Sequence, residues 1–354
     1  MVLRALYQGG CRVAVGALLL TGPILAQGKD DPRAAVFSLL AFYDAGHYDA
    51  FDRMLAVQAK EPLATALRRE GDRWIKTGPA DTMDRRRLVA GAVALEIAGA
   101  GLRDEWFLVH DAIEWACGHI LATAPGSAAE HLWHLGSISL LQDGAGMLPT
   151  SQFAKDHITQ HSARRLPDSA RIRLAAALDE ERSVFLPRIS RPATSAEVLN
   201  RFRAQVVSIV EQYTMLQASS VVAEDASLRL GAFYYRIGHI DDAIAVLIPL
   251  TRSPDVFAGY VSAFLVGEAF RARDRHAEAV SAYRKALTFA PNSMSASLAL
   301  SSVLVATGDL DGAIAATRAA ATPGAPVDPW RVFAFGEGRH WPRWRESLRT
   351  EMRR

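Results

Sequence analysis

Apolar side chains recur every three to four residues along most of the chain, the spacing that gathers them on one face of an α-helix. Residues 34–46 carry such a set and end at Gly46. Residues 84–101 are apolar on nearly all sides apart from Glu96, as expected for a buried helix. No stretch shows the alternation that is typical of a β-strand. The pattern therefore predicts an all-α protein.

The same reading places further helices along the chain, with proline and glycine between them. They cover residues 64–76, 103–123, 127–141, 150–165, 168–185 and 195 to about 219. Residues 187–194, which contain two prolines, form the best candidate for an internal linker, and Ser195 is the expected N-cap of the helix that follows.

Three segments between residues 224 and 323 repeat one pattern of small, aromatic and proline residues. The first copy has Leu230, Gly231, Tyr234, Gly238, Ala243 and Pro254; the second has Val266, Gly267, Phe270, Asp274, Ala279 and Pro291; the third has Leu300, Ser301, Leu304, Gly308, Ala313 and Pro323. The small residue moves from 231 to 267 to 301, which gives steps of 36 and 34 residues.

Each repeated position has a physical reason in a pair of helices. A small residue is needed where two helices approach closely, as expected at Gly231. Glycine ends a helix in the left-handed conformation without steric cost, and Asp274 is a tolerable substitute in the second copy. Proline stops the second helix because it lacks the amide hydrogen. The alternative is three unrelated helical hairpins.

These copies resemble the tetratricopeptide repeat, a helix–turn–helix unit of about 34 residues. The resemblance is clearest over residues 224–323 and implies an α-solenoid of antiparallel helix pairs. We therefore expect a tetratricopeptide-like array over residues 195–323 and a region of degenerate helical hairpins over residues 33–187.

The resemblance also implies that the first helix of each unit lines a concave groove, which receives a peptide segment or a helix of a partner protein. By the alignment, the groove residues are Asp225, Arg229, Tyr235, Arg236, Phe264, Glu268, Arg271, Leu298 and Ser302, with Val305 beside them. The competing interpretation is that these are ordinary exposed residues. The chaperone-binding subfamily has a carboxylate clamp where this chain has Leu228, Ala232 and Phe264, so recognition of a chaperone's C-terminal carboxylate is not expected.

Residues 324–354 break the repeat and are rich in aromatic and basic side chains. Because the end of a repeat array must be covered, we expect a cap on the last hairpin. Its aromatic residues would be Trp330, Phe333, Phe335, Trp341 and Trp344. The alternative is an aromatic and basic binding patch.

The first residues have the layout of a secretory signal peptide: a basic start, an apolar run over residues 13–25 and a cleavage position after Ala26. We therefore expect residues 1–26 to be removed and the protein to be periplasmic or secreted, with no membrane insertion afterwards. An uncleaved N-terminal anchor is the alternative. The formal charge of +2 is too small to indicate binding to nucleic acid or to an anionic membrane.

Catalytic chemistry has one candidate, a group of histidines in the first half. His131 and His134, together with His157 and His161, could bind zinc if their two helices face each other. Ordinary surface or core histidines are the favoured interpretation, and Cys117 is expected to be a buried hydrophobic residue. The sequence therefore predicts a non-catalytic scaffold without a cofactor. The alternatives are a metal-dependent enzyme or sensor, and a structural subunit of an envelope assembly.

Overall fold

The computed structural model describes residues 31–77, 85–101, 169–185, 195–320, 328–335 and 341–353. Within these ranges every regular element is a helix, so the all-α prediction is confirmed for this part of the chain. None of the helices found there has the length and apolar character needed to cross a membrane. The helices expected at 103–123, 127–141 and 150–165 lie outside the described residues.

The described helices belong to two compact units. The first unit contains α1 (Pro32–Asp44), α2 (Tyr48–Ala56), α3 (Lys60–Thr77) and α4 (Arg85–Gly101). The second unit contains α5 (Ser169–Phe185), α6 (Ser195–Leu216), α7 (Ala223–Arg236), α8 (Ile240–Leu247), α9 (Val256–Arg271), α10 (His276–Phe289), α11 (Met294–Ala306), α12 (Leu310–Ala320) and α13 (Pro329–Phe335). A 3₁₀ turn, Pro249–Arg252, lies between α8 and α9. The last helix, α14 (Trp341–Arg353), belongs to the first unit again.

The tight turns between paired helices share one backbone conformation. Gly238 and Gly308 have φ angles of 82° and 84°, and Asp274 has a φ of 56°. In each turn the next residue donates its backbone N–H to a carbonyl five residues earlier, as His239 does to Tyr234 at 2.9 Å. The predicted left-handed residues are therefore confirmed. Gly46, with a φ of 74°, makes the same turn between α1 and α2 in the first unit.

The small residues of the repeat lie where the two helices of a pair are closest. A β-carbon on Gly231 would collide with the side chain of Leu247, and one on Gly267 would collide with the Tyr283 ring. In the third pair the Ser301 hydroxyl donates to the carbonyl of Ala313 at 3.0 Å. Each small residue thus faces the helix that follows it, which confirms the reason given for its size.

Two apolar clusters hold the second unit together. One joins α5, α6 and α7 around Tyr213 and Phe233, which are fully buried. The other runs from α7 to α13 and includes Tyr260, Phe264 and Tyr283. Burial of these large rings contributes to the stability of the unit, since each removes a large apolar area from water.

The first unit is held together by an ionic cluster as well as by apolar packing. Residues 89–98 of α4 are all buried, Glu96 included. Arg349 of α14 donates to Glu96 at 2.7 Å and to Asp52 of α2 at 2.6 Å. Arg345 contacts the same two carboxylates. Two arginines therefore neutralise two carboxylates and attach α14 to α2 and α4.

The aromatic tail does not form one cap on the last hairpin. Trp341 and Trp344 are buried in the first unit, where Trp341 packs against Gly99 of α4. Trp330 and Phe333 lie in the second unit against the cluster that contains Phe264. Apolar side chains of α11 and α12 stay exposed, among them Val305, Leu310 and Ile314.

Candidate functional site

The first helices of the three repeated pairs are neighbours in the second unit: α7 contacts α9, and α9 contacts α11. All nine residues expected to line the groove are on these three helices. We use the name inner face for the surface of α7, α9 and α11 that carries Arg229, Phe264 and Ser293.

Glu268 is a point of contact between expected groove residues. Its carboxylate accepts hydrogen bonds from the Tyr283 hydroxyl at 2.5 Å, from Arg271 at 2.6 Å and from the Tyr235 hydroxyl at 3.3 Å. Burial, and then the bond to Glu268, raise the pKa of Tyr283, so this phenol stays protonated and donates. Tyr235, Glu268 and Arg271 therefore form one network that joins α7, α9 and α10.

Arg236 points to a different neighbour from the one expected. Its guanidinium donates to Glu181 of α5 at 3.0 Å and lies 3.5 Å from the centre of the Phe185 ring. Glu181 is buried and also accepts from the Tyr213 hydroxyl at 2.6 Å. Arg236 thus holds α5 against α7. Asp225 lies half-buried in the first turn of α7.

Phe264 does not line an open groove. It is 6% exposed, and the Trp330 ring covers it with a centroid distance of 4.7 Å. On its other sides it stacks on Tyr260 at 6.1 Å and contacts Tyr283 at 5.9 Å. Phe264 is therefore covered by a later part of the same chain in this structure, and its expected contact with a partner stays a prediction.

We call residues 328–335, which comprise Asp328 and α13, the resident segment. Its first residue is held by several donors on the inner face. The Asp328 carboxylate accepts from the backbone N–H of Ser295 at 2.7 Å, from Ser293 Oγ at 3.0 Å and from the Tyr260 hydroxyl at 3.2 Å. It also accepts from the N–H of Trp330 at 2.9 Å, which caps α13.

The geometry around Asp328 suits a negative charge. Ser293 is the N-cap of α11, and Ser295 is in its first turn, so the carboxylate lies at the positive end of that helix. Burial raises the pKa of Tyr260, and the charge of Asp328 adds to the rise. The Tyr260 hydroxyl therefore remains a donor to this carboxylate.

Aromatic side chains hold the rest of the resident segment. Trp330 packs on Phe264 as described, and Phe333 is 5% exposed. Arg229 covers Phe333: its guanidinium lies 4.0 Å from the ring centre and donates to the Phe333 carbonyl at 3.2 Å. Arg229, one of the residues expected to line the groove, thus contacts a segment of its own chain.

The residues of α11 that are expected to line the groove are exposed. Leu298 is 48% exposed and Val305 is 54% exposed, and Ser302 is exposed between them. Met294, which the alignment did not assign to the groove, lies one turn before Leu298 and is also exposed. Met294, Leu298 and Val305 form an apolar strip on α11, the first helix of the third pair.

The repeat alignment missed the residues that hold the resident segment, namely Tyr260, Ser293 and Asp328. A local signal was present, because aspartate at the N-cap followed by proline at the first position favours the start of a helix at α13. Nothing in the sequence indicates where that helix docks.

The histidines of the metal alternative, His131, His134, His157 and His161, lie outside the described residues, as does Cys117. In the ranges that the structure describes, no group of three or more His, Cys, Asp and Glu side chains is placed to hold a metal ion. No protein-family model matches the chain, and no curated protein matches its sequence.

Proposed function

We propose that the chain is an exported, non-catalytic scaffold of the tetratricopeptide kind. On this proposal, residues 195–323 form an array of antiparallel helix pairs, and the array binds a protein or peptide segment across the first helices α7, α9 and α11. Export rests on the signal-peptide layout of residues 1–26 and would leave the protein in the periplasm or outside the cell.

The observation that carries the proposal is the adjacency of α7, α9 and α11 with the same turn after each. A repeated left-handed turn fixes the angle within each pair, and contacts of α8 with α9 and of α10 with α11 join one pair to the next. Such an arrangement places equivalent residues of successive first helices on one side, as in repeat proteins that use this side for binding.

The open strip on α11 supports a further contact beyond the resident segment. Exposed apolar side chains grouped on one helix face are a common feature of protein-binding surfaces. Arg271 at the end of α9, whose side chain is 45% exposed beside Glu268, adds a positive charge on a neighbouring first helix. A partner segment with apolar residues and an acidic residue fits this combination.

The test is capture of partners from the native host by the purified chain, followed by mass spectrometry. The groove variant is Leu298→Glu with Val305→Glu, which changes two exposed residues of α11. The matched control is Val207→Glu with Met215→Glu on α6, since these residues are 56% and 67% exposed and off the three first helices. We expect a partner that the groove variant loses and the control retains.

Equal capture by both variants would reject the groove assignment. Circular dichroism of all three proteins checks that the helices remain folded. N-terminal sequencing of the protein recovered from the host tests export separately, and we expect the mature chain to begin after Ala26.

A further inference from the structure

The inner face already holds a peptide ligand, the resident segment, through one acidic and two aromatic anchors. Three of the four hydrogen bonds to the Asp328 carboxylate come from Tyr260, Ser293 and Ser295. Hydrogen bonds to an ionised acceptor are stronger than those between neutral groups. The Asp328 carboxylate also lies at the N-terminus of α11, where the helix dipole favours a negative charge. The inner face thus provides a site for a carboxylate that continues directly into an aromatic site.

The two aromatic anchors are of the kind that dominate binding at protein interfaces. Trp330 covers Phe264, and Phe333 is buried beneath Arg229. Tryptophan and arginine supply a large share of the binding free energy in measured interfaces. The spacing of the three anchors is Asp, then Trp two residues on, then Phe three residues after that.

α13 has seven residues, and a helix of that length is unstable by itself in water. Asp328 at the N-cap and Pro329 at the first position lower the cost of forming it. In the sequence, prolines and a glycine precede it at 323–326, and glycines follow it at 336 and 338. The helical form of the resident segment therefore depends on its contacts with the inner face, as for a peptide that folds on binding.

We propose that the inner face is a recognition site for short segments of the pattern Asp-x-Trp-x-x-Phe, and that the resident segment is an intramolecular ligand which a partner with this pattern displaces. The proposal deepens the function proposed above and rests on it, because it names the chemistry of the partner and the state of the site before binding. The partner segment would place its carboxylate at the start of α11 and its two rings on Phe264 and Arg229.

A tethered ligand competes strongly with a free one. A short tether gives the attached segment an effective concentration on the order of millimolar at its site. A partner must therefore compete with a segment at that concentration in order to bind. The apparent affinity for a partner is reduced by the fraction of molecules in which the site is free. If the resident segment loses its anchors, the site is free in more molecules, and the apparent affinity for a partner should therefore rise.

The experiment measures binding of a fluorescent peptide with the sequence of residues 326–337 to the full chain by fluorescence anisotropy. The released chain carries Trp330→Ala with Phe333→Ala. We expect the peptide to bind the released chain at least about tenfold more tightly than the wild-type chain, because the competing segment has lost its anchors. Equal affinity for both chains, or no binding to the released chain, would overturn the proposal.

Three controls locate the binding. A peptide with Asn in place of Asp328 and Ala in place of Trp330 should lose binding to the released chain. Arg229→Ala added to the released chain should weaken binding of the native peptide, because Arg229 covers the second ring. Met215→Ala, an exposed change on α6, should behave like the wild type. If the released chain does not fold, Asp328→Asn is the alternative release, since it keeps both aromatic residues.

The result separates this proposal from the broader one. A released chain that binds no peptide, together with a host partner lost on Leu298→Glu with Val305→Glu, would reject the resident-ligand proposal and keep the scaffold. Tight peptide binding to the released chain, without any host partner that depends on Leu298 and Val305, would keep the resident-ligand proposal and reject the strip on α11 as a partner contact. Light scattering tests a further outcome, a wild-type dimer that dissociates when the peptide is added. Such a dimer would show that two copies exchange the segment, and it would overturn the proposal of a separate partner.

Discussion

Trp330 lies on Phe264 with 4.7 Å between their ring centroids, so a residue expected to line an open groove is buried by the chain's own tail. The pair explains why Phe264 is only 6% exposed on a helix that was expected to face a partner. It also joins the resident segment to the middle of the repeated region. The stability of that region and the exposure of its inner face therefore depend on the same contact.

Trp330→Ala should destabilise the second unit by about 1–2 kcal/mol, since it removes an aromatic pair together with partly buried apolar area. Trp330→Phe keeps a ring over Phe264 and should lose less. Urea unfolding followed by circular dichroism measures both variants. An unchanged free energy of unfolding for Trp330→Ala would show that the contact of Trp330 with Phe264 contributes no net stability.

Glu268→Gln should destabilise the protein by about 1–3 kcal/mol, because the mostly buried carboxylate satisfies two tyrosines and an arginine. Glu278 provides the matched control, since it also pairs with an arginine three residues away, Arg275, but at an exposed position. Glu278→Gln should change the free energy of unfolding much less than Glu268→Gln does, because water screens a pair at an exposed position. Equal effects in the two variants would argue against a network centred on Glu268.

Gly308→Ala should lower the free energy of unfolding by about 1–2 kcal/mol, because φ at this position is 84° and a residue with a β-carbon is strained there. No side chain within 4 Å would meet the added methyl group, so the cost is a backbone effect rather than a collision. Gly308→Asn should cost less, since asparagine adopts this conformation more readily. Thermal unfolding of the two variants is the measurement, and a larger loss for Asn would contradict the turn assignment.

Asp52 should give the first unit an acid-sensitive component of stability. Burial alone would raise the pKa of Asp52, but Arg349 and Arg345 outweigh it and hold the pKa below its ordinary value. The unfolded chain then binds the proton more readily than the folded one, so this contribution is complete above the ordinary pKa. It is lost as the pH falls through the lower, folded pKa.

The measurement for Asp52 is the urea midpoint between about pH 6 and pH 2, compared with Asp52→Asn. The wild type should lose more stability than the variant as the pH falls below about 4, the ordinary pKa of an aspartate. Parallel curves of the wild type and Asp52→Asn would show that the arginine contacts do not shift the pKa of this carboxyl group. Asp44, which pairs with Arg85 at an exposed position, is the matched site for a control substitution to Asn.

Local chemistry explains which parts of the fold could be predicted. The periodicity of apolar residues gave α1, α4, α5 and α6 to within a few residues, because one buried face is enough to define a helix. The repeat predicted the left-handed residues and the small residues at Gly231 and Gly267. These features depend on contacts between residues close in sequence, and so the sequence pattern carries them.

The candidate site was predicted only in part. Tyr235, Glu268 and Arg271 do lie together, and Leu298 and Ser302 are exposed on α11 as expected. Arg236 instead contacts α5, whose position relative to α7 has no signature in the repeat. Long side chains such as arginine reach several neighbours, and the one they pair with depends on the packing of helices distant in sequence.

The sequence by itself determined that the described chain is helical and that three helix pairs share one turn, since hydrogen-bond geometry and backbone sterics act over a few residues. Only the tertiary structure decided where the aromatic tail docks. Burial of apolar area has no preferred direction, so Trp330 could have covered any exposed apolar surface. The choice of the inner face came from the shape beside Phe264 and from the donors that receive Asp328, both of which exist only once the helices are packed.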